Sequence, residues 1–115
     1  MHASDPPAAE KAFREALALR PKDSTALSGL AQALLAQSKR SEAAKAAEEA
    51  LAADPKDPQA RFTFGFVMLK TGSSVDRALK EWEALAKDEP DYAKKMGVLD
   101  MLAKIREGAN QRKVH

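Results

Sequence analysis

STALSGLAQALLAQSKRSEAAKAAEEALAADP, residues 24–55, reads as a helix, a turn and a second helix, and the rest of the chain copies it. Leu27, Leu30, Leu34 and Leu35 recur at helical spacing, Ser38-Lys39-Arg40 is a short polar turn, and an alanine-rich stretch runs on to Asp54-Pro55. Moved back by 34 residues, Pro55 falls on Pro21, Ala50 on Ala16, Ala47 on Phe13 and Ala43 on Ala9. Moved forward by 34, Leu30-Ala31 falls on Phe64-Gly65 and Leu34 on Met68. Pro90 lies 35 residues after Pro55, and the Gly72-Ser73-Ser74 turn is where one extra residue disturbs no packing. A period of this size points to stacked helix pairs, none of which buries its apolar face alone.

Composition agrees. The 115 residues fit one domain with a moderate core, 44% are hydrophobic and only 5% aromatic. Alanine is abundant and β-branched residues are few, which favours helix and close helix–helix approach. The formal net charge is only +2. Residues 91–115 hold six basic and three acidic side chains, a weak bias that a solvated helix face explains. No base-stacking aromatics accompany it, which argues against nucleic acid. Without cysteine there is no disulfide framework and no thiolate site. No run is apolar enough to span a membrane, and the N-terminus lacks a signal-peptide pattern. The compartment is not fixed by this. The cytoplasm is the default, and the periplasm stays open if a leader or anchor was removed.

Six helices are expected, at about 6–20, 24–37, 41–53, 58–71, 74–87 and 91–107, with Met1–Ser4 loose and 108–115 a flexible tail. Asp5, Asp23, Asp57 and Asp91 stand at helix starts, three of them beside prolines suited to a first turn. Ser41 is expected to cap the third helix, and Ser73 with Asp76 to form a capping box for the fifth. Gly72 is expected in a left-handed C-cap.

These residues resemble the tetratricopeptide repeat, whose pattern runs W-x2-L-G-x2-Y, then A-x3-F-x2-A, then P. Phe64-Gly65-x2-Met68 and Ala78-x3-Trp82-x2-Leu85 fill it in the third copy, and Leu30-Ala31-x2-Leu34 and Ala43-x3-Ala47-x2-Ala50 in the second. The first copy keeps only Ala9-x3-Phe13-x2-Ala16 and Pro21. The resemblance covers residues 8 to about 107. It implies an all-α, right-handed superhelical array of antiparallel helix pairs, two full repeats flanked by two half-repeats. Arg61 takes the usual tryptophan slot and Ala47 that of the large aromatic, substitutions expected to thin the packing. Asp100 stands where a fourth copy would have its glycine, which suggests a terminal capping helix.

Nothing in the chain reads as an enzyme. The histidines, His2 and His115, lie at the ends, and the acidic residues read as caps or solvated faces. No phosphate-binding glycine loop or metal-ligand spacing occurs, so no cofactor and no metal is expected. The resemblance implies a protein- or peptide-binding scaffold or adaptor whose first helices line a concave groove. The implied groove set is Thr25, Ser28, Gln32 and Leu35 on the second copy. It continues with Gln59, Phe62, Phe66, Leu69 and Lys70 on the third, then Lys94, Gly97, Met101 and Lys104 on the last helix. Phe62 and Phe66 lie one turn apart on one face. They either fill the gap beside the next helix or floor a site for a partner. The lysine–asparagine–arginine carboxylate grip of some family members has no counterpart in Ser28, Gln32, Phe62 and Phe66.

The half-repeats suggest an alternative. An unpaired Phe13/Leu17 stripe at one end and an unpaired Leu99/Leu102 stripe at the other could complete each other between chains, giving a homo-oligomer.

Overall fold

The computed structural model describes residues 5–114, with side chains through Gly108. Among the described residues seven helices follow one another: α1 Pro6–Leu19, α2 Ser24–Ala36, α3 Arg40–Ala53, α4 Pro58–Thr71, α5 Val75–Asp88, α6 Pro90–Lys95 and α7 Val98–Val114. No strand occurs among the described residues. The molecule measures 50 × 28 × 28 Å, and its radius of gyration is 14.7 Å. A compact chain of this length would be near 13 Å. The fold is a short row of helix pairs.

Aspartate caps set three of the helix starts, those of α1, α2 and α4. Asp5 accepts from the Ala8 N–H, Asp23 from those of Thr25 and Ala26, and Asp57 from that of Gln59. Each satisfies a donor that the first turn leaves open. The two hairpin turns match residue for residue. Ser38 and Gly72 both take positive φ, 63° and 73°, and the next N–H bonds back to Leu34 in one turn and to Met68 in the other. The register then slips by one. Ser74, itself at φ 49°, is the added residue, within the turn where the period places it. That backbone leaves no capping box between Ser73 and Asp76: Ser74 is the cap of α5 and makes no side-chain bond. Nor does Ser41 cap α3, because the helix begins one residue earlier with Lys39 before it.

The C-terminal part departs from the expected single helix over 91–107. Gly97, at φ 77°, breaks it into α6 and α7. Asp91 lies in the first turn of α6, and the cap position is held by Glu89 without a side-chain bond. α7 continues to Val114, so the backbone is helical where a tail was expected. His115 and the expected loose Met1–Ser4 lie outside the described residues.

Successive helices pack on one another from α1 to α5, and α2 also lies directly beside α4. The outer helices α1, α3 and α5 reach each other through long side chains: Arg14 to Glu42 at 3.4 Å and Arg77 to Glu48 at 2.7 Å. Small residues let α2 and α4 approach, and long ones space α1, α3 and α5. The row therefore curves with α2 and α4 on its inner side. The main core joins Leu30, Ala31 and Leu34 of α2 to Ala43, Ala46 and Ala47 of α3 and to Phe64, Val67 and Met68 of α4. Alanines in α3 make this approach close, as the sequence suggests at Ala47, which is fully buried. A second cluster, Phe62, Trp82, Leu85, Ala93, Val98 and Leu102, seals α4 and α5 beneath α6 and α7.

Candidate functional site

The inner side is built on the α2–α4 seam. Ser24 Oγ donates to Asp57 Oδ2 at 2.7 Å, and Gln32 Nε2 donates to Thr63 Oγ1 at 3.1 Å. Asp57 thus caps α4 with one carboxylate oxygen and anchors α2 with the other. Ser28 lies between these two bonds, fully buried, and its hydroxyl has no hydrogen-bond partner. Its small size serves the close approach, and its polarity is unused there.

Beside Gln32 lies an open groove of about 470 Å³. Gln32, Leu35 and Ala36 line it from α2, Phe66 and Lys70 from α4, Ser38 from the turn and Arg40 from the first position of α3. The Lys70 ammonium lies 5.6 Å from the centre of the Phe66 ring, a distance at which ring and cation attract. Gln32 is held by Thr63, so its amide is oriented before anything binds. The groove thus joins an apolar floor, a fixed amide and two cations.

Four of the residues assigned to the groove from sequence therefore come together: Gln32, Leu35, Phe66 and Lys70. The rest of that set scatters. Ser28 is closed into the seam, and Phe62 is buried, stacked at 5.8 Å on both Trp82 and Phe66. Phe62 fills the gap beside the next helices, because the break at Gly97 folds Val98 and Leu102 onto it. Met101 and Leu69 are partly buried against the same cluster. Gly97 supplies backbone geometry and lines no groove. Thr25, Lys94 and Lys104 are exposed and Gln59 is half-buried, all away from the groove lining. Ser38 and Arg40, which the sequence reading places in a connecting turn, and Ala36 at the end of α2 lie outside the set expected from sequence. The signal was available: a turn directly after Leu35 must lie beside the groove that Leu35 lines.

The ends differ from expectation too. Leu102 is buried, so it offers no open stripe. Phe13 lies over Gly29, and Phe13 and Leu17 pack partly against the main core. Leu99 is exposed. Arg61 does not thin its slot. Its Nε donates to the Pro55 carbonyl at 3.0 Å, and its guanidinium pairs with Asp88 at 3.0 Å and Glu81 at 3.8 Å, tying the α3–α4 loop to α5.

Other depressions converge on less. The one along α1, about 520 Å³, is lined by Glu10, whose carboxylate is already engaged by Arg14 at 2.8 Å, Gln37 at 2.9 Å and Lys39 at 3.0 Å. Those three partners, in that order of Arg14, Gln37 and Lys39, hold the Glu10 carboxyl down at about 2. Glu48, Glu81 and Glu83 are likewise paired with arginines. Tyr92 is pushed above its usual range, first by burial and then by the charge of Asp57, so its hydroxyl stays protonated. Among the described residues no group of three histidine, cysteine or carboxylate side chains is placed to hold a metal ion, and no helix is long and apolar enough to cross a membrane.

A family model described as tetratricopeptide repeat matches residues 1–62, which span α1 to the first turn of α4. No curated protein matches the sequence.

Proposed function

The chain belongs to the tetratricopeptide-repeat family, and on that premise we propose that it is a non-catalytic scaffold that recognises a segment of another protein in the α2–α4 groove. Proteins of this family generally act through protein–protein contacts. The observation that carries the groove assignment is the meeting of Leu35, Phe66, Gln32 and Lys70 around one open depression on the inner side. An apolar ring ringed by oriented polar groups suits an anchor side chain and its flanking peptide. No catalytic role is proposed for any residue: the best-placed carboxylates are held by arginines or helix N–H groups.

The test separates the two phenylalanines. Phe66→Ala should weaken binding of peptides selected on the wild-type chain about tenfold, with a smaller loss of stability than Phe62→Ala, since its ring is only partly buried although it stacks on Phe62. Phe62→Ala should instead cost about 3 kcal/mol of stability, because its ring is enclosed. A steep fall in Tm for Phe66→Ala with unaltered binding would assign that ring to the core alone.

A second reading is self-association through the ends. In the 34-residue register, Ala46 and Ala50 of α3 are buried against α2, and their counterparts Ala12 and Ala16 of α1 are exposed. Leu19, 86% exposed, extends that open face, and Met96 and Leu99 stand open at the other end of the row. In this reading one chain's α6–α7 corner covers its neighbour's α1.

A further inference from the structure

The cations around the groove are unpaired. The ion pairs among the described residues use Arg14, Lys39, Arg61, Arg77 and Arg106, and none uses Lys70 or Arg40. No carboxylate lines the groove. The same charge continues past the rim. A neighbouring depression of about 480 Å³ shares Arg40 and adds Lys45, and its one carboxylate, Glu48, is already bonded to Arg77 at 2.7 Å. A chain whose net charge is only +2 therefore gathers positive charge along one strip, in which Lys45 alone also shares a depression with further carboxylates, Glu42 and Glu49.

We propose that this strip selects an acidic partner segment: a stretch of polypeptide with one leucine-, methionine- or phenylalanine-like side chain flanked by aspartate or glutamate. This rests on reading the groove as the binding site. The apolar side chain would lie against Leu35 and the Phe66 ring. The Lys70 ammonium, already held over that ring at 5.6 Å, would meet the adjacent carboxylate, and Arg40 one on the opposite flank. Charge of one sign on the receptor raises the encounter rate with acidic chains and penalises basic ones. An apolar floor between the cations favours a peptide over a sugar–phosphate backbone, which would meet its rings only by stacking bases. The groove has a single ring for that.

The experiment is selection from a randomised peptide display library, each insert about 12 residues long, on the intact chain. Enriched peptides should carry Asp or Glu beside a large apolar residue. They should lose about tenfold in affinity against Lys70→Glu and against Arg40→Glu, both exposed positions at which the change in Tm should be small beside that of Phe62→Ala, and weaken as salt is raised. Enriched peptides without acidic residues, or ones indifferent to both charge reversals yet lost with Phe66→Ala, would overturn the acidic preference and leave the groove standing. Peptides indifferent to Phe66→Ala as well, or no enrichment at all, would remove the groove reading itself. Displacement of the selected peptides by an equimolar single-stranded oligonucleotide would reassign the strip to nucleic acid.

Discussion

Ser28 and Gly65 show how much single positions on the inner helices carry. The Ser28 hydroxyl is sealed between α2 and α4 without a partner, a loss that water would have repaired in the unfolded chain. Ser28→Ala is therefore expected to raise stability, by up to about 1 kcal/mol, and urea denaturation measures it. A loss above that size would mean the hydroxyl finds a bond in solution. Gly65 is the reverse case. A Cβ there would overlap the Trp82 indole, which is fully enclosed and cannot retreat. Gly65→Ala should cost about 2–3 kcal/mol, more than the helix propensity it gains. Gly29→Ala meets Phe13 instead, a half-buried ring on the end helix that can swing outward, so its cost should be smaller. Both glycines sit in helices, where sequence alone reads them only as weak points. The facing ring explains them, and it becomes visible only once the helices are paired.

α1 packs on α2 through partly buried side chains alone. It has no fully buried residue, and its firmest polar tie is Glu10, which binds Arg14 within the helix and Lys39 and Gln37 from the α2–α3 turn. Those partners lower the Glu10 carboxyl from 4.5 to about 2. A carboxyl depressed in the folded state stabilises the fold above its unfolded value and loses that contribution as pH falls through the folded one. Replacing Glu10 with Gln should therefore flatten part of the decline in urea midpoint between pH 4.5 and about 2, leaving a variant less stable than the wild type at neutral pH. Superimposable acid limbs for the two proteins would show that the ion pairs do not hold α1. The sequence places Glu10 on a helix and Lys39 in a turn 29 residues on. Their meeting follows from the hairpin geometry, which brings the start of α1 to the end of α2.

Across the whole molecule, tight packing of α2 on α4 and wide spacing of α1, α3 and α5 set the curvature, and the ends of the row stay open. If α1 of one chain receives the α6–α7 corner of another, the sedimentation coefficient should rise with protein concentration. Leu99→Lys, which adds a charge to an exposed position, should then restore the monomer. A chain that sediments as a monomer at every concentration would dispose of the end-to-end contact and leave the groove as the site of partnership.

Helix spacing and the Asp caps were legible without coordinates because each depends on residues within one or two turns of one another, and the 34-residue proline phase then gave the order of the pairs. Even the one-residue slip at Ser74 was legible as a broken period. Which apolar rings stay open was not. Phe62 and Phe66 share one stripe and one residue type, yet α6 and α7 close over the first and leave part of the second accessible. That outcome turns on where Gly97 redirects the backbone, a choice made by packing of Val98 and Leu102 on a ring far back along the chain, at Phe62. The same holds for Arg61 and Arg40, both charged and both beside turns. One meets two carboxylates across the fold, and the other meets none. Local chemistry decided what each helix is, and only the stacking decided which side chains are left over for a partner.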